Sequence, residues 1–491
     1  MAKYVLSMDQ STSASKAFLV DANGEIVTSA SYKHKQFYPA SGYVEHDASE
    51  IWENVVRALN DVSVGIDPSD ICALSISNQR ETTVIWDKAT GLPIDKALVW
   101  QDTRAQKLCE SLSDHAQSIQ EKTGLILSPY FSAAKAAWAL QHDPDLMARA
   151  NRGEIAIGTI DSYLVYRLTN GRSFKTDSSN AGRTQLMNLS AQTWDDEICN
   201  LFQIPMCCLP EIVDSDACFG ETACDSLPHG ITITGVMGDS HASLFAQGCL
   251  SAGMAKATYG TGSSVMMNIG TMPVYSKGGL SSCVGFAFQG EIHYVLEGNV
   301  TCSGDTLVWL SNELNLIDNP KSAEAIANTV SDTEGVYLVP AFAGLGTPHF
   351  DSDARAILCG MSRGTTRAHV VRAALESIAF QDADVVRAMQ EDSGYKLHEL
   401  RADGGASRNA LLMQFQADLL DCPIQCRKSD ALSALGSAYM GGISAGLYPN
   451  LNAIPALNNI GSQYKPTMDA KQRSRLFDGW NDAILRARTH N

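Results

Sequence analysis

The sequence predicts an α/β protein made of two structurally related domains. Short apolar strands alternate with helical stretches, and a hairpin with a Ser/Thr/Gly-rich turn occurs at the start and again near the middle of the chain. With 491 residues, the chain is also too long for one ordinary hydrophobic core. We therefore expect one domain at residues 1–249 and another at residues 250–491, with a linker at residues 248–253.

The first hairpin lies at the N-terminus. Residues 4–8 are apolar and predict a strand, and residues 9–15 form a run of small hydroxyl side chains that begins with an aspartate. Residues 17–20 predict the returning strand, 21–24 have the composition of a turn, and 25–27 continue the sheet. The aspartate therefore lies where a strand meets a turn rich in hydrogen-bond donors.

The second hairpin lies near the middle of the chain. Residues 231–237 predict a strand that delivers Asp239 at its end, and the Ser/Thr/Gly loop at 258–264 precedes the apolar residues 265–269. Glycines let the backbone approach a phosphate closely, and a carboxylate at a strand end can hold Mg²⁺. Two such loops with Asp9 and Asp239 predict a nucleotide-phosphate site.

The C-terminal half continues the alternation of strands and helices. Residues 336–339 predict a strand, 365–389 predict an amphipathic helix, and 397–402 predict a strand that ends at Asp403-Gly-Gly405. A helix carrying residues 411–419 is expected to open at this turn. Because helix N-termini attract anions, the turn is a third candidate for binding a nucleotide.

Composition and charge exclude several functions. The formal charge of −17 provides no basic face for nucleic acid and disfavours an anionic membrane surface. No stretch reaches the roughly 18 apolar residues that a transmembrane helix needs, and the N-terminus does not resemble a signal peptide. The 13 cysteines are scattered and form no CxxC motif. We expect a reduced, cytoplasmic enzyme without nucleic-acid binding or membrane insertion.

Several other catalytic patterns are absent or weak. The sequence lacks GxxxxGK[ST] and HExxH, while GxSxG occurs twice, at 360–364 and 442–446, which shows how little this pattern discriminates. An actin-like or chaperone-like ATPase would need no small-molecule site, yet Arg80-Glu81 and Asp239 suggest one. A sugar-sensing regulator would need a basic DNA-binding segment, and neither end of the sequence provides it.

A set of ordered segments resembles one family over nearly the whole chain. The segments are Gly42–His46, Asn78–Thr83, Val99–Gln101, Thr123–Gly124, Pro129–Ser132, Thr258–Gly262, Pro340–Phe342, Gly344–Gly346, Asp403–Gly405 and Met413–Gln416. They resemble the FGGY carbohydrate kinases and, within that family, the glycerol kinases. So many matches in order are far more specific than any single motif.

The resemblance implies a fold and an activity. The fold is a pair of actin/hexokinase-like (ribonuclease H-like) domains around a central nucleotide cleft. The activity is ATP-dependent transfer of the γ-phosphoryl group to a terminal hydroxyl of glycerol or a closely related small polyol. The resemblance also implies Mg²⁺ as a cofactor and a homodimer or homotetramer.

The resemblance assigns a role to each matching position. Asp239 is the general base, and the polyol-binding group comprises Arg80, Glu81, Trp100 and Tyr130. The transferring phosphate is contacted by Thr12, Ser13 and Lys16. The nucleotide phosphates lie along Thr261 and Gly304, and the adenosine end along Gly405, Ala406 and Asn409. Asp9 matches the acid near Mg²⁺.

Two departures from the glycerol kinase pattern fall in the acceptor pocket. Ser240 stands where these kinases usually carry Gln, and Ser264 stands where they usually carry Phe. Both changes predict a larger and more polar pocket. Since pocket walls discriminate by only about 1–3 kcal/mol per methylene, a longer polyol or ketose such as erythritol, threitol, ribulose or xylulose is the alternative substrate. Lys16 for Arg and Val308 for Gln are further departures.

Overall fold

The computed structural model describes residues 3–457 and 460–489, which form strands and helices in alternation. The strands are β1 (Tyr4–Gln10), β2 (Ala14–Asp21), β3 (Ile26–Lys33), β4 (Gln36–Phe37), β5 (Glu45–His46), β6 (Ile71–Asn78), β7 (Thr83–Asp87), β8 (Ala97–Leu98), β9 (Ile155–Thr159), β10 (Lys175–Asp177), β11 (Met187–Asn188), β12 (Thr193–Trp194), β13 (Glu211–Val213), β14 (Gly220–Glu221), β15 (Thr232–Gly238), β16 (Met254–Tyr259), β17 (Ser263–Asn268), β18 (Ser281–Phe288), β19 (Glu291–Val300), β20 (Tyr337–Val339), β21 (Ile357–Cys359), β22 (Glu399–Asp403), β23 (Ile424–Arg427) and β24 (Ile460–Tyr464).

The α-helices are α1 (Ala48–Val62), α2 (Gln106–Ser111), α3 (Ala116–Thr123), α4 (Ser132–His142), α5 (Pro144–Asn151), α6 (Ile160–Leu168), α7 (Ser178–Ala181), α8 (Asp196–Leu201), α9 (Asp239–Ala246), α10 (Gly304–Asn312), α11 (Ala323–Ala327), α12 (Arg367–Ser393), α13 (Ala410–Leu420), α14 (Leu432–Ser444), α15 (Ile454–Leu457) and α16 (Ala470–Ala487). Short 3₁₀ helices lie at Pro68–Asp70, Ser113–His115, Met206–Cys208, Pro320–Ser322, Gly405–Arg408 and Leu451–Ala453. Across the described ranges, none of the helices has the length and apolar character needed to cross a membrane.

The N-terminal sheet has the strand order β14-β15-β6-β1-β2-β3. Its centre is parallel, because β1 pairs parallel with β6 and β6 pairs parallel with β15, whereas β1 to β3 form an antiparallel meander. The carboxyl ends of parallel strands meet at one edge of a sheet. This edge therefore brings together Asp9 in β1, Arg80 just after β6 and Asp239 just after β15.

The C-terminal sheet repeats this arrangement, in the order β18-β19-β17-β16-β22-β23-β24. Strand β16 forms an antiparallel hairpin with β17 and pairs parallel with β22, which pairs parallel with β23. The ends of β16 and β22 place the loop at residues 260–262 beside Asp403 and Gly404. In both sheets, the first strand of the hairpin also pairs parallel with a later strand, so the two sheets are similar, as the two hairpins predict.

Both loops are shorter than the sequence predicts. The N-terminal turn is confined to residues 11–13, and Asp9 lies within β1, paired across the hairpin with Lys16. The second loop comprises only residues 260–262, so that Ser264 belongs to β17. Pairing of the flanking residues satisfies their backbone hydrogen bonds in the sheet, which favours the longer strands.

The turn at Asp403-Gly-Gly405 also differs from expectation. It opens a 3₁₀ helix, Gly405–Arg408, and α13 begins only at Ala410. Asn409 accepts a hydrogen bond from the backbone N–H of Leu412 at 2.9 Å, which is the usual contact of an N-cap. A cap in this position explains why the helix begins later than predicted.

Helix α14 comes from the C-terminal half of the chain but packs on the N-terminal sheet. It contacts α9 and strands β1, β6 and β15. Ser7 in β1 donates a hydrogen bond to the carbonyl of Ala434 at 2.8 Å. The approach is close at Gly436, where a Cβ would lie 1.8 Å from the carbonyl oxygen of Ala242 in α9. The absence of a side chain at Gly436 therefore fixes the distance between the two helices.

We predict that Gly436→Ala destabilises the protein. Alanine is the better helix former by about 1 kcal/mol, but its methyl group would collide with backbone atoms that cannot rotate away. Overpacking of this kind lowers the free energy of unfolding by about 1–3 kcal/mol, measurable as a lower midpoint of denaturant unfolding. Gly364→Ala is the control, because that exposed glycine has no atom within 3.4 Å of an added Cβ. Equal midpoints for both variants would contradict the prediction.

Candidate active site

Four buried or half-buried charged groups meet at the edge of the N-terminal sheet. The Nε of Arg80 lies 3.3 Å from Oδ1 of Asp239. Asp9 accepts a hydrogen bond from Ser77 Oγ at 2.8 Å, and its Oδ2 lies 3.7 Å from Nζ of Lys16. The edge thus presents two carboxylates, each beside a cation, as expected from the strand ends.

Burial governs the protonation of both carboxylates. It raises the pKa of Asp239, while the positive charge of Arg80 lowers it and the negative charge of Asp9 adds to the rise. Burial likewise raises the pKa of Asp9 against the opposing effect of Lys16. A carboxylate with a raised pKa is the stronger proton acceptor when it is ionised. Asp239 therefore has the properties of a general base.

Arg80 and Glu81 do not form a pair with each other, although the sequence places them side by side. The Nη1 and Nη2 atoms of Arg80 each lie 2.9 Å from an oxygen of Glu297. Glu81 instead accepts a hydrogen bond from Nε of Arg183 at 2.6 Å, and Nη1 of Arg183 lies 2.8 Å from Glu297. Glu297 therefore binds both terminal nitrogens of Arg80, and the polyol-binding role of Arg80 and Glu81 stays a prediction.

All four members of this cluster are buried, with at most 7% of each residue exposed. Burial would raise the pKa of Glu297, but Arg183 and Arg80 hold it well below the ordinary range. Arg80 and Glu81 are therefore not an exposed ion pair at the surface. Glu81 also adopts a φ of +60°, an uncommon conformation for a residue with a side chain. Such conformations concentrate at functional sites.

Sequence reasoning missed Glu297 and Arg183. Glu297 is the lone charge that follows the apolar residues Tyr294, Val295 and Leu296 in β19, and such a charge needs a buried partner. That signal was available from the sequence. The identity of the partner was not, because 217 residues separate Arg80 from Glu297.

An aromatic wall lies beside the ion-pair cluster. The rings of Trp100 and Tyr130 meet edge to face with centroids 5.7 Å apart. The indole N–H of Trp100 donates a hydrogen bond to Thr12 Oγ1 at 3.0 Å, so the wall is tied to the first turn. The cation of Arg183 lies 5.9 Å from the centre of the Tyr130 ring. These contacts place Trp100 and Tyr130 side by side, and their role in binding a polyol stays a prediction.

A buried lysine holds the loop that carries Tyr130. The Nζ of Lys135 in α4 donates to the carbonyls of Pro129 at 3.0 Å and Phe131 at 3.1 Å, and also to that of Tyr130. Ser132 Oγ ties the same loop to the carbonyl of Glu81 at 3.0 Å. The position of the aromatic wall therefore depends on hydrogen bonds beneath it.

The two serines of the predicted pocket contact its acids. Ser264 is half-buried in β17, and its Oγ donates to Glu297 at 3.3 Å. The backbone N–H of Ser240 donates to Asp239 Oδ1 at 2.6 Å. Both small side chains thus lie next to the charged groups, where a larger residue would occupy more of the space.

A cavity of about 350 Å³ lies at the edge of the C-terminal sheet. It brings together all five residues predicted along the nucleotide, namely Thr261, Gly304, Gly405, Ala406 and Asn409. The loop is held by backbone hydrogen bonds, since the N–H of Gly304 donates to the carbonyl of Gly260 at 3.0 Å. Val308 lies in the same wall.

A second cavity, of about 530 Å³, connects this wall to the charged edge of the N-terminal sheet. Gly405 lines both cavities, and the second is also lined by Asp239, Ser240 and Lys256. Lys256 is only 1% exposed and donates to Thr258 Oγ1 at 3.1 Å. Burial lowers the pKa of Lys256, and the negative charges of Asp403 and Glu297 oppose that effect. The sequence reasoning did not identify this lysine.

Thr12, Ser13 and Lys16 lie outside both of these linings. They occupy the turn and the first part of β2, where the carbonyl of Thr12 accepts hydrogen bonds from His34 and Gln36. The structure thus places these three residues beside Asp9 and Trp100, but away from the walls that carry Thr261 and Gly405.

Comparison with known proteins identifies close relatives. The chain is 44% identical to the glycerol kinase of Caldanaerobacter subterraneus over 491 residues, and 99% of each chain is covered. It is 46% identical to the glycerol kinase of Dechloromonas aromatica, covering 99% of this chain and 97% of that one. The crystal structure of Plasmodium falciparum glycerol kinase with ADP matches with a TM-score of 0.95 at 36% identity, over 99% of both chains.

The structural match confirms the two-domain, actin/hexokinase-like α/β fold. The model of the N-terminal domain of the FGGY family of carbohydrate kinases matches residues 4–246, and that of the C-terminal domain matches residues 255–445. The chain belongs to the FGGY family of carbohydrate kinases.

Proposed function

We propose that this protein is an ATP-dependent kinase that transfers the γ-phosphoryl group to a terminal hydroxyl of glycerol or a closely related small polyol. The observation that carries the proposal is the path of two adjoining cavities, which runs from the turn at Gly405 to the carboxylate of Asp239. The names of the relatives, glycerol kinases at 44–46% identity over nearly the whole chain, support the choice of acceptor.

Asp239 takes the proton of the attacking hydroxyl in this proposal. Phosphoryl transfer requires chiefly positioning and stabilisation of charge, so the base needs only to lie within hydrogen-bond reach of the acceptor. Asp239 lines the second cavity, and its carboxylate contacts Arg80. Its raised pKa suits a group that must accept a proton during the transfer.

The acceptor lies between the ion-pair cluster and the aromatic wall. Glu81 and Asp239 offer oxygen atoms to its hydroxyls, Arg80 fixes Asp239, and Trp100 with Tyr130 covers the carbon chain. The remaining boundary is formed by Ser240 and Ser264. Alternation of buried polar groups with aromatic rings is typical of pockets for small polar ligands.

The nucleotide occupies the first cavity. Thr261 and Gly304 lie along its phosphates, and Gly405, Ala406 and Asn409 lie along the adenosine. Thr12, Ser13 and Lys16 approach the transferred phosphate from the opposite sheet. Because these three residues lie outside the cavity walls, this contact requires the two sheets to move closer, as lid closure does in other kinases.

Mg²⁺ fits beside Asp9. This buried carboxylate is held by Ser77 on one oxygen, and the contact of the other oxygen with Lys16 is long at 3.7 Å. Mg²⁺ is commonly bound by one or two carboxylates together with substrate phosphates and water. The ion would neutralise charge on the phosphates, while Asp9 supplies the protein's ligand.

A longer polyol or ketose is the second candidate acceptor. Ser240 and Ser264 present small side chains where bulk would shorten the pocket. Erythritol, threitol, ribulose and xylulose would each place additional hydroxyls near the oxygens of Glu81. The two candidates share the same catalytic groups and differ only in the length of the acceptor.

The proposal extends to the compartment and the assembly. A cytoplasmic location is supported by the cysteines, all of which are free in the described residues. The resemblance also predicts a homodimer or homotetramer. The sequence predicts a domain boundary near residue 250.

The proposal is tested by ATP-coupled phosphorylation of glycerol, erythritol, threitol, xylitol, ribulose, xylulose and dihydroxyacetone, comparing kcat/KM. We expect glycerol to be the best acceptor. A longer compound in that place would support the second candidate. Absence of phosphoryl transfer to all seven, in a protein that binds ATP, would contradict both.

We predict that Asp239→Asn lowers kcat by about 10²–10⁴-fold, because an amide cannot accept the proton. Since the base must be ionised, kcat/KM of the wild type should fall as the pH falls through the raised pKa of Asp239. This acidic limb should be absent from the residual activity of the variant. Asp469→Asn is a matched control, because Asp469 is an exposed N-cap of α16 and asparagine caps equally well. Retention of the limb in Asp239→Asn would assign it to another group.

We predict that Ser264→Phe shifts acceptor preference toward three carbons. The ring would fill space beside Glu297, so kcat/KM for erythritol should fall relative to glycerol by about tenfold or more. Ser264→Ala is the matched control, because it removes the hydrogen bond to Glu297 without filling the pocket. An unchanged ratio in Ser264→Phe would show that position 264 is not part of the pocket wall.

A further inference from the structure

Glu297 lies at the centre of the ion-pair cluster and lines neither cavity. We infer that Glu297 is a positioning residue, which orients Arg80 and Arg183 so that Asp239 and Glu81 present free oxygen atoms to the acceptor. The inference rests on the proposed kinase function and assigns Glu297 no contact with the substrate.

The four residues of the cluster and Asp239 form a continuous series of ion pairs. It runs from Asp239 through Arg80, Glu297 and Arg183 to Glu81, and its four links measure 3.3, 2.9, 2.8 and 2.6 Å. Glu297 is the middle member, and its two oxygens receive three of the four terminal guanidinium nitrogens in the series. The two arginines therefore share a single carboxylate as their anchor.

Each of the two arginines contacts two different acids, one through its terminal nitrogens and one through its Nε. Arg80 directs its terminal nitrogens at Glu297 and only its Nε at Asp239. Arg183 likewise directs Nη1 at Glu297 and Nε at Glu81. A guanidinium fork prefers to bind a carboxylate with two parallel hydrogen bonds. Without Glu297, the forks would be free to turn onto Asp239 and Glu81, and would occupy the oxygens that the acceptor needs.

Stability alone does not explain the cluster. Moving several charges out of water costs about as much as their attraction returns, and apolar residues of similar volume often stabilise a protein at least as well. The position of Glu297 does have a consequence for the site, because both arginines that it holds also touch acids of the acceptor pocket. Its third contact, with Ser264, lies in the same pocket.

Glu297 also joins the two halves of the site. Glu297 belongs to β19 in the C-terminal sheet. Arg80 follows β6 and Arg183 follows α7, so both arginines come from the N-terminal half of the chain. Strand β19 ends at Val300, and α10 begins at Gly304 in the wall of the first cavity. One strand thus contacts the acceptor side through Glu297 and leads directly to the nucleotide side.

The first test is Glu297→Gln, which keeps the size of the side chain and removes its charge. We expect kcat/KM for the best acceptor to fall by about 100-fold, a loss typical of misplacing reacting groups by about 1 Å. The KM for ATP should stay within about twofold of the wild type, because the nucleotide cavity keeps all its lining residues. This separation of the two substrates is not expected from a general loss of stability.

Arg183→Lys is the second variant, for the case that Glu297→Gln does not fold. It preserves the positive charge, but a single ammonium group cannot hold Glu297 and Glu81 in the geometry of a fork. We expect the same pattern of lost acceptor kcat/KM and retained ATP affinity. Glu376→Gln is the matched control, because Glu376 is also a buried glutamate paired with an arginine, at 2.8 Å from Arg372, and lies outside the site. We expect the acceptor kinetics of this control to be unchanged.

Two results would overturn the inference. One is acceptor kcat/KM within about threefold of the wild type in either folded variant. The other is a loss shared equally between acceptor and ATP, with a drop in melting temperature like that of Glu376→Gln. Failure of the proposed function is distinguishable, because the wild-type protein would then phosphorylate none of the polyols or ketoses.

Discussion

The burial of three carboxylates at the junction of two sheets is the constraint on which the site depends. The acids are Glu81, Glu297 and the partly exposed Asp239, and burying charged groups is costly unless they are paired. Arg80 and Arg183 satisfy this need, and each contacts two of the acids. Because Arg80 follows β6 of the N-terminal sheet and Glu297 belongs to β19 of the C-terminal sheet, this ion pair also contributes to how the two sheets meet. The same ion pairs therefore serve both the local electrostatics and the contact between the sheets.

The parallel strands of the N-terminal sheet explain why three charged residues from distant parts of the sequence lie together. Strands β1, β6 and β15 are neighbours and run in the same direction, so that Asp9, Arg80 and Asp239 emerge at one edge although they are far apart in sequence. The C-terminal sheet uses the same principle for the turns at Gly260 and Gly404. A repeated sheet topology thus yields two facing edges, one rich in charge and one rich in glycine.

The fold and half of the site follow from local sequence patterns. Hairpins, strand ends and glycine turns have short-range signals, so Asp9, Asp239, Thr261 and Gly405 could be placed before the structure was known. The lengths of the turns could not, because strand pairing extends β1 and β17 into them. Partners of buried charges were equally inaccessible. The pairing of Arg80 with Glu297 arises only when two sheets pack, and nothing local to either residue specifies it.

The packing of α14 on the N-terminal sheet has a consequence for how the chain becomes functional. Leu435, Tyr439 and Met440 complete the apolar layer formed by Val5 and Met237 under the strands that carry Asp9 and Asp239. During synthesis, this layer stays open to water until α14 has emerged from the ribosome. The edge that carries Asp9 and Asp239 therefore gains its apolar support late, and a fragment ending near residue 250 would expose the underside of its own sheet. The N-terminal sheet therefore needs a helix from the C-terminal half to complete its own apolar core.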